Sequence, residues 1–284
     1  MLWALFLVLH LTGLVGYTLL LRRSAFATMN RLLVAACMQT AIFVPLLFVL
    51  AFGSQPRLAF SAWEWTTLIA SGVLIAVFQI STVQALRHLE ASVFTIVFNI
   101  RLFLVTVLGF VFLRDLPSPL QILGGVTIFA SILLLNLHKN RQFLSRPILY
   151  GLFATLMISA VVTLEKYNLQ QVGFTSYMFW SQGLAVVLLW LFVLKSDVNL
   201  AALKRSANWH VALLMLLRSA SGWGYTCALL YGSLAVTGYI SGLSVALIVL
   251  FGIFLLGERQ HIRQKLAAVG VALIGLTLIL AGKL

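Results

Sequence analysis

Hydrophobic residues fill this chain in ten long blocks, and polar residues collect in the short gaps between them. The blocks run Leu2–Leu21, Leu32–Phe52, Trp65–Gln84, Ala91–Phe112, Leu120–Leu137, Ile148–Leu164, Phe174–Leu194, Trp209–Leu230, Val236–Leu256 and Lys265–Ala281. Each approaches the roughly 20 residues that a helix needs to cross about 30 Å of hydrocarbon. The blocks lack the alternation over about ten residues that marks a barrel strand. Lipid offers backbone groups no hydrogen-bond partner, so apolar runs of this length predict helices. The expected fold class is all-α integral membrane, with ten transmembrane helices.

The ten blocks form two sets of five. A constant shift of 143 residues carries the first set onto the second without a gap: Ala85-Leu86 onto Ala228-Leu229, Gly109 onto Gly252, Leu113 onto Leu256, Asp115 onto Glu258, Gln121 onto Gln264 and Leu123 onto Leu266. The expected halves are 1–138 and 146–284, joined by a linker over 139–145. An odd number of spans per half turns one half upside down relative to the other. Two inverted five-helix repeats are a transporter architecture, with the substrate site near mid-membrane between the halves.

Local punctuation agrees with this division. Ser118-Pro119-Leu120-Gln121 reads as a helix start, with Ser118 as cap, proline at the first helical position and Gln121 closing a capping box. Pro45 falls inside the second block and predicts a packing kink. Gly238 and Gly242 are spaced for close helix contact. Trp3, Trp63, Trp65 and Trp209 sit at block edges, where an interfacial aromatic belt is expected.

Composition narrows the class further. The chain is 62% hydrophobic and 9% charged, with a mean hydropathy of +1.08, a balance foreign to soluble domains. The net charge of +13 is not a nucleic-acid footprint, because the basic residues lie mostly in the short connections, where they meet anionic headgroups. Apart from the central Arg101 and Arg218, thirteen of the 17 remaining basic residues flank the connections after the first, third, fifth, seventh and ninth blocks. The positive-inside rule then puts both termini outside the cytoplasm. Cys37 and Cys227 lie within blocks and read as packing residues rather than a disulfide framework. The first block, followed by Arg22-Arg23, reads as a retained helix rather than a cleaved leader. Metalloprotease, nucleophile-elbow, phosphate-loop and Cys/His metal patterns are absent from the sequence. The expectation is therefore a protein that is not an enzyme, with no cofactor and no bound metal.

The turns that follow the fourth block of each half carry a family signature. Phe112-Leu-Arg-Asp-Leu-Pro-Ser-Pro-Leu-Gln-Ile-Leu-Gly124 and Leu255-Leu-Gly-Glu-Arg-Gln-His-Ile-Arg-Gln-Lys-Leu-Ala267, set in two five-helix halves, resemble the drug/metabolite transporter superfamily in its EamA-like branch. The second turn has the typical Leu-Gly-Glu, whereas the first has Arg114-Asp115 in place of Gly-Glu. The resemblance implies a basket made by spans one to four and six to nine, with spans five and ten peripheral. It implies transport of small metabolites without fixing the substrate, and both termini inside, against the charge count.

Arg101 and Arg218 stand near the centres of their blocks. An arginine there costs roughly 2.5–3.5 kcal/mol on insertion scales, and no acid is expected at the same depth, since all six lie near block ends or in connections. Two deep guanidinium forks without deep carboxylates suit a substrate carrying a carboxylate or phosphate. Tyr225 shares the Arg218 face with Ser221 and Gly222. His10 is a candidate titrating group for a proton-coupled cycle. Gln79, Gln39 and Gln182 are candidate hydrogen-bonding groups, and Trp180 and Tyr239 candidate stacking surfaces. Glu165-Lys166, closing the sixth block, reads as an interfacial pair.

These features predict a secondary-active exporter of a small anionic organic metabolite, working by alternating access in the lipid bilayer, here a bacterial inner membrane. A flippase for a lipid-linked phosphate would use the same arginines. A non-transporting membrane subunit has no need of them.

Overall fold

A computed structural model describes residues 2–23, 29–113, 118–136, 146–196, 198, 209–232, 237–238, 241–258 and 261–282. Among these, all regular structure is helical. The helices are α1 (Leu2–Arg23), α2 (Arg31–Ala51), α3 (Ala62–His88), α4 (Ala91–Phe98), α5 (Arg101–Leu113), α6 (Pro119–Asn136), α7 (Arg146–Gln171), α8 (Phe174–Tyr177), α9 (Gly183–Leu194), α10 (Trp209–Tyr231), α11 (Ser244–Leu255) and α12 (Ile262–Ala281). A π-helical turn, Met178–Gln182, joins α8 to α9. Helix thus occupies all ten hydrophobic blocks. Six stretches among the described residues are long and apolar enough to cross a membrane, including Leu2–Leu21, Ala62–His88 and Arg146–Gln171. Large apolar side chains such as Leu5, Phe48, Leu216 and Phe254 stay exposed, while Gln39, Ser71, Thr155 and Asn168 are fully buried. That inside-out distribution is suited to lipid.

The helices pair in a pattern that exchange of the halves leaves unchanged. α1 packs on α10, and its counterpart α7 packs on α3. α6 packs on α12 and α2 on α9, each against its own equivalent, and α4 packs on α11, the equivalent of α5. The 143-residue shift also relates Gln39 to Gln182, and these two side chains meet, Gln39 Nε2 donating to Gln182 Oε1 at 2.5 Å.

The fourth block departs from the continuous helix expected over Ala91–Phe112. It breaks at Asn99-Ile100, between α4 and α5. In the second half α11 begins at Ser244, the residue 143 positions after Arg101, with Leu243 capping it. Both halves interrupt the same helix at the same depth. Broken helices are tolerated inside a membrane where protein or a cavity takes up the freed backbone groups.

The acidic turn of the second half has a physical role. Gly257 at φ +67° turns the chain, and the Glu258 carboxylate accepts from the backbone N–H of Ala91 at 2.9 Å and of Ser92 at 3.3 Å, and from the Ser92 hydroxyl at 2.5 Å. A helix start leaves its first N–H groups without partners and carries partial positive charge. Glu258 therefore caps a helix belonging to the other half. Lys265 braces it, donating to the Glu258 carbonyl at 2.8 Å and pairing with Glu90 at 2.6 Å. Asp115, the linker 139–145 and Tyr239 lie outside the described residues. The Ser118–Gln121 capping box forms in both directions, at 3.3 and 2.9 Å.

Candidate functional site

The site begins where α1 crosses α10. A Cβ on Gly13 would stand 2.5 Å from the Leu217 carbonyl oxygen, and one on Gly224 2.7 Å from the Phe6 carbonyl oxygen. The two backbones are in contact because neither glycine has a side chain. This approach brings His10 Nδ1 to 2.9 Å from the Ser221 carbonyl oxygen. A carbonyl can only accept, so Nδ1 carries a proton. Nε2 of the neutral ring then accepts from the Ser241 hydroxyl at 2.9 Å, and the Ser241 oxygen accepts from Arg101 Nη2. A buried line of hydrogen bonds runs from Arg101 through Ser241 and His10 to the backbone of α10. Arg101 opens α5 directly after the helix break, and its guanidinium lies over the Phe98 ring, 4.8 Å from the centroid.

Arg218 reaches the same interior from α10. Its guanidinium lies 4.9 Å from the centroid of the Tyr17 ring, a contact contributing about 0.5–2 kcal/mol. Its Nε has no hydrogen-bond partner among the described residues. Both arginines are buried, and both line one cavity of about 90 Å³, together with His10, Gln79, Tyr225 and Glu165. The lining comes from α1, α2, α3, α4, α5, α7, the π turn and α10, with no residue from α6 or α12. The fifth and tenth spans pack on each other, away from this cavity.

Three glutamines form an amide chain along one wall. Gln79 Nε2 donates to Gln39 Oε1 at 2.9 Å, and Gln39 donates to Gln182. Gln182 is carried by the π turn, a local irregularity frequent at functional sites. Gln79 Oε1 has no hydrogen-bond partner among the described residues. Tyr225 packs its ring 4.9 Å from that of His10.

The structure corrects the expectations for Glu165 and Lys166. The sixth block does not end at Leu164: its helix continues to Gln171, so Glu165 is buried and faces the cavity. A deep acid therefore accompanies the two arginines. Glu165 and Lys166 do not form an interfacial pair. Glu165 accepts from Thr226 Oγ1 at 2.7 Å, whereas Lys166 donates to the carbonyl oxygens of Leu229 and Gly232 at 2.8 and 3.2 Å, closing the end of α10. Trp180 is not among the lining residues. Its indole N–H donates to the Arg57 carbonyl at 3.0 Å, and its ring meets Trp65 and Phe179 edge-on. The sequence reading missed Ser241 and Tyr17, which have no local signal. The length of the polar-flanked sixth helix was the signal available for Glu165.

The arrangement defines a multi-pass membrane protein with a buried, cation-bearing cavity at the meeting of its two halves. Residues 1–137 match the model of the EamA-like transporter family, a family of the drug/metabolite transporter superfamily. The resemblance is thereby borne out over residues 1–137, which include the first of the two turns. A solved structure, described only as the crystal structure of a protein, superposes with a TM-score of 0.66 at 14% identity, covering 97% of this chain and 96% of that one. The fold is thus shared across both halves. No curated protein matches the chain.

Proposed function

We propose that this protein is a secondary-active transporter, working as an exporter, that moves a small organic anion by alternating access of two inverted halves about the cavity. The observation that carries the reading is the convergence of Arg101 and Arg218, from opposite halves of the chain, on one cavity. No ion pair joins Glu165 to either guanidinium among the described residues. A buried charge without a counter-charge is costly, and a carboxylate or phosphate entering the cavity would supply the partner. Fully desolvated charge pairs of this kind contribute about 2–5 kcal/mol when one member is truncated. Arg101 is held by Ser241 and Phe98, whereas Arg218 keeps Nε unused; the first orients and the second clamps. The broken fourth helices and the paired glutamines supply elements that two states can repack.

Counterflow in proteoliposomes tests this. Purified protein is loaded with unlabelled amino acids, phosphorylated metabolites or lipid phosphates in turn, and uptake of the labelled compound is followed. Exchange of an anionic member is expected in the wild type and is expected to be lost in Arg218→Ala and Arg101→Ala variants that still insert. Arg218→Lys should restore little, because an ammonium cannot make two parallel bonds. Normal exchange in both alanine variants would overturn the reading, and exchange confined to lipid phosphates would turn it to a flippase.

A further inference from the structure

The cavity contains one ionisable group whose role the anion site leaves unassigned. Glu165 is 4% exposed, lines the cavity, and has one hydrogen bond among the described residues, from Thr226 Oγ1 to its Oε1. Its Oε2 has no donor among those residues, and no cation is paired with it. Placed in the same small cavity as an incoming carboxylate or phosphate, an ionised Glu165 would repel it across a medium that screens poorly. The anion and the negative charge on Glu165 therefore compete for the same two arginines.

We propose that Glu165 is the proton-binding group of the transport cycle, taking up one proton as the anion enters and releasing it to water when the anion leaves. The proposal rests on the anion-site reading. The proton adds to the unpartnered Oε2, the carboxyl becomes neutral, and the cavity keeps the positive charge of both arginines for the substrate. Proton and anion then bind cooperatively and cross together, so export is driven by the anion's own outward gradient and not by inward proton flow.

The neighbouring groups leave this role to Glu165. α10 presents Arg218, Tyr225 and Cys227, and α5 presents Arg101. α8 presents Tyr177, α1 presents His10 and Tyr17, and α3 presents the neutral Gln79; α4 has no titratable residue. On its own helix, Lys166 is occupied by two backbone carbonyls. His10 was the candidate that sequence suggested. Its Nδ1–H is committed to the Ser221 carbonyl and its Nε2 to the Ser241 hydroxyl. A second proton on His10 would turn Nε2 into a donor facing a serine oxygen that already accepts from Arg101, and would set two cations side by side. Glu165 meets no such obstacle.

The test uses the purified full chain in detergent, with radiolabelled inorganic phosphate and benzoate as probes. Probe binding is measured from acidic to alkaline pH, alongside infrared difference spectra of the carboxyl carbonyl stretch. In the wild type, binding should weaken about ten-fold as Glu165 ionises, equivalent to about 1.4 kcal/mol, and the protonated-carboxyl band should disappear over the same range. Glu165→Gln is isosteric and keeps an acceptor for Thr226. It should bind at the acid-side level at every pH and lack the band, while Glu165→Asp should restore the pH dependence. PH-independent wild-type binding, or a Glu165→Gln variant that retains the wild-type profile, would overturn the proposal and leave the anion site standing. Unchanged binding in Arg218→Ala, or no binding of either probe to the wild type, would instead overturn the anion-site reading. The absence of a titrating carboxyl band from the wild type would sink the Glu165 role whatever the probes do.

Discussion

Removing the Glu258 carboxylate should unlatch the two halves. In Glu258→Ala, the backbone N–H groups of Ala91 and Ser92 and the Ser92 hydroxyl lose their acceptor. Ala91 and Ser92 are fully buried, so water does not replace it. A lost N-cap costs about 0.5–2 kcal/mol, and each hydrogen bond to a charged group contributes about 1.5–3 kcal/mol. These bonds share one carboxylate and do not add in full, so a loss of about 3–5 kcal/mol is expected, the range for breaking a buried charged contact. Lys265 keeps Glu90 at 2.6 Å but also stands 3.9 Å from the Glu258 carboxylate, so the loss of that ion pair is part of the penalty. Glu258→Gln retains one acceptor oxygen and should lose about half as much, while Ser92→Ala should lose about 1–2 kcal/mol. Reversible denaturation in mixed detergent micelles, followed by tryptophan fluorescence, measures each variant. A Glu258→Ala protein within about 0.5 kcal/mol of the wild type, the range of ordinary surface substitutions, would refute the latch.

Gly13→Ala should destabilise by about 1–3 kcal/mol, as overpacking does, because its Cβ would meet the Leu217 carbonyl at 2.5 Å; thermal unfolding in detergent checks this. Gln39→Ala and Gln182→Ala should be coupled in a double-mutant cycle by about 0.5–3 kcal/mol, and a coupling of zero would mean that the two do not meet in the membrane. Ser241→Ala removes the link between Arg101 and His10 and should weaken exchange of the transported anion while leaving insertion intact, as counterflow would record. A C-terminal reporter active only in the cytoplasm should stay silent if the basic connections set the orientation; a strong signal would favour the termini-inside topology of the family.

Periodicity and composition alone determined that this is a helical membrane protein, because apolar runs of this length have few other stable forms in lipid. The internal shift of 143 residues exposed the two halves, and the two acidic turns exposed the family. The sequence also singled out Arg101 and Arg218, since charge at the centre of an apolar run is costly enough to be conspicuous by itself. Tertiary structure alone decided what surrounds them. Whether Glu165 is deep depends on how far α7 continues past its apolar stretch, which propensity does not fix. Tyr17 enters the site through the α1–α10 crossing set by glycines on both helices, and Ser241 through its bonds to His10 and Arg101, all contacts between residues far apart in the chain. The capping of α4 by Glu258 is likewise settled by a partner from the other half. Hydrophobic patterning specifies which segments enter the membrane. The polar groups that meet inside it are selected by packing, and packing is not written in any one segment.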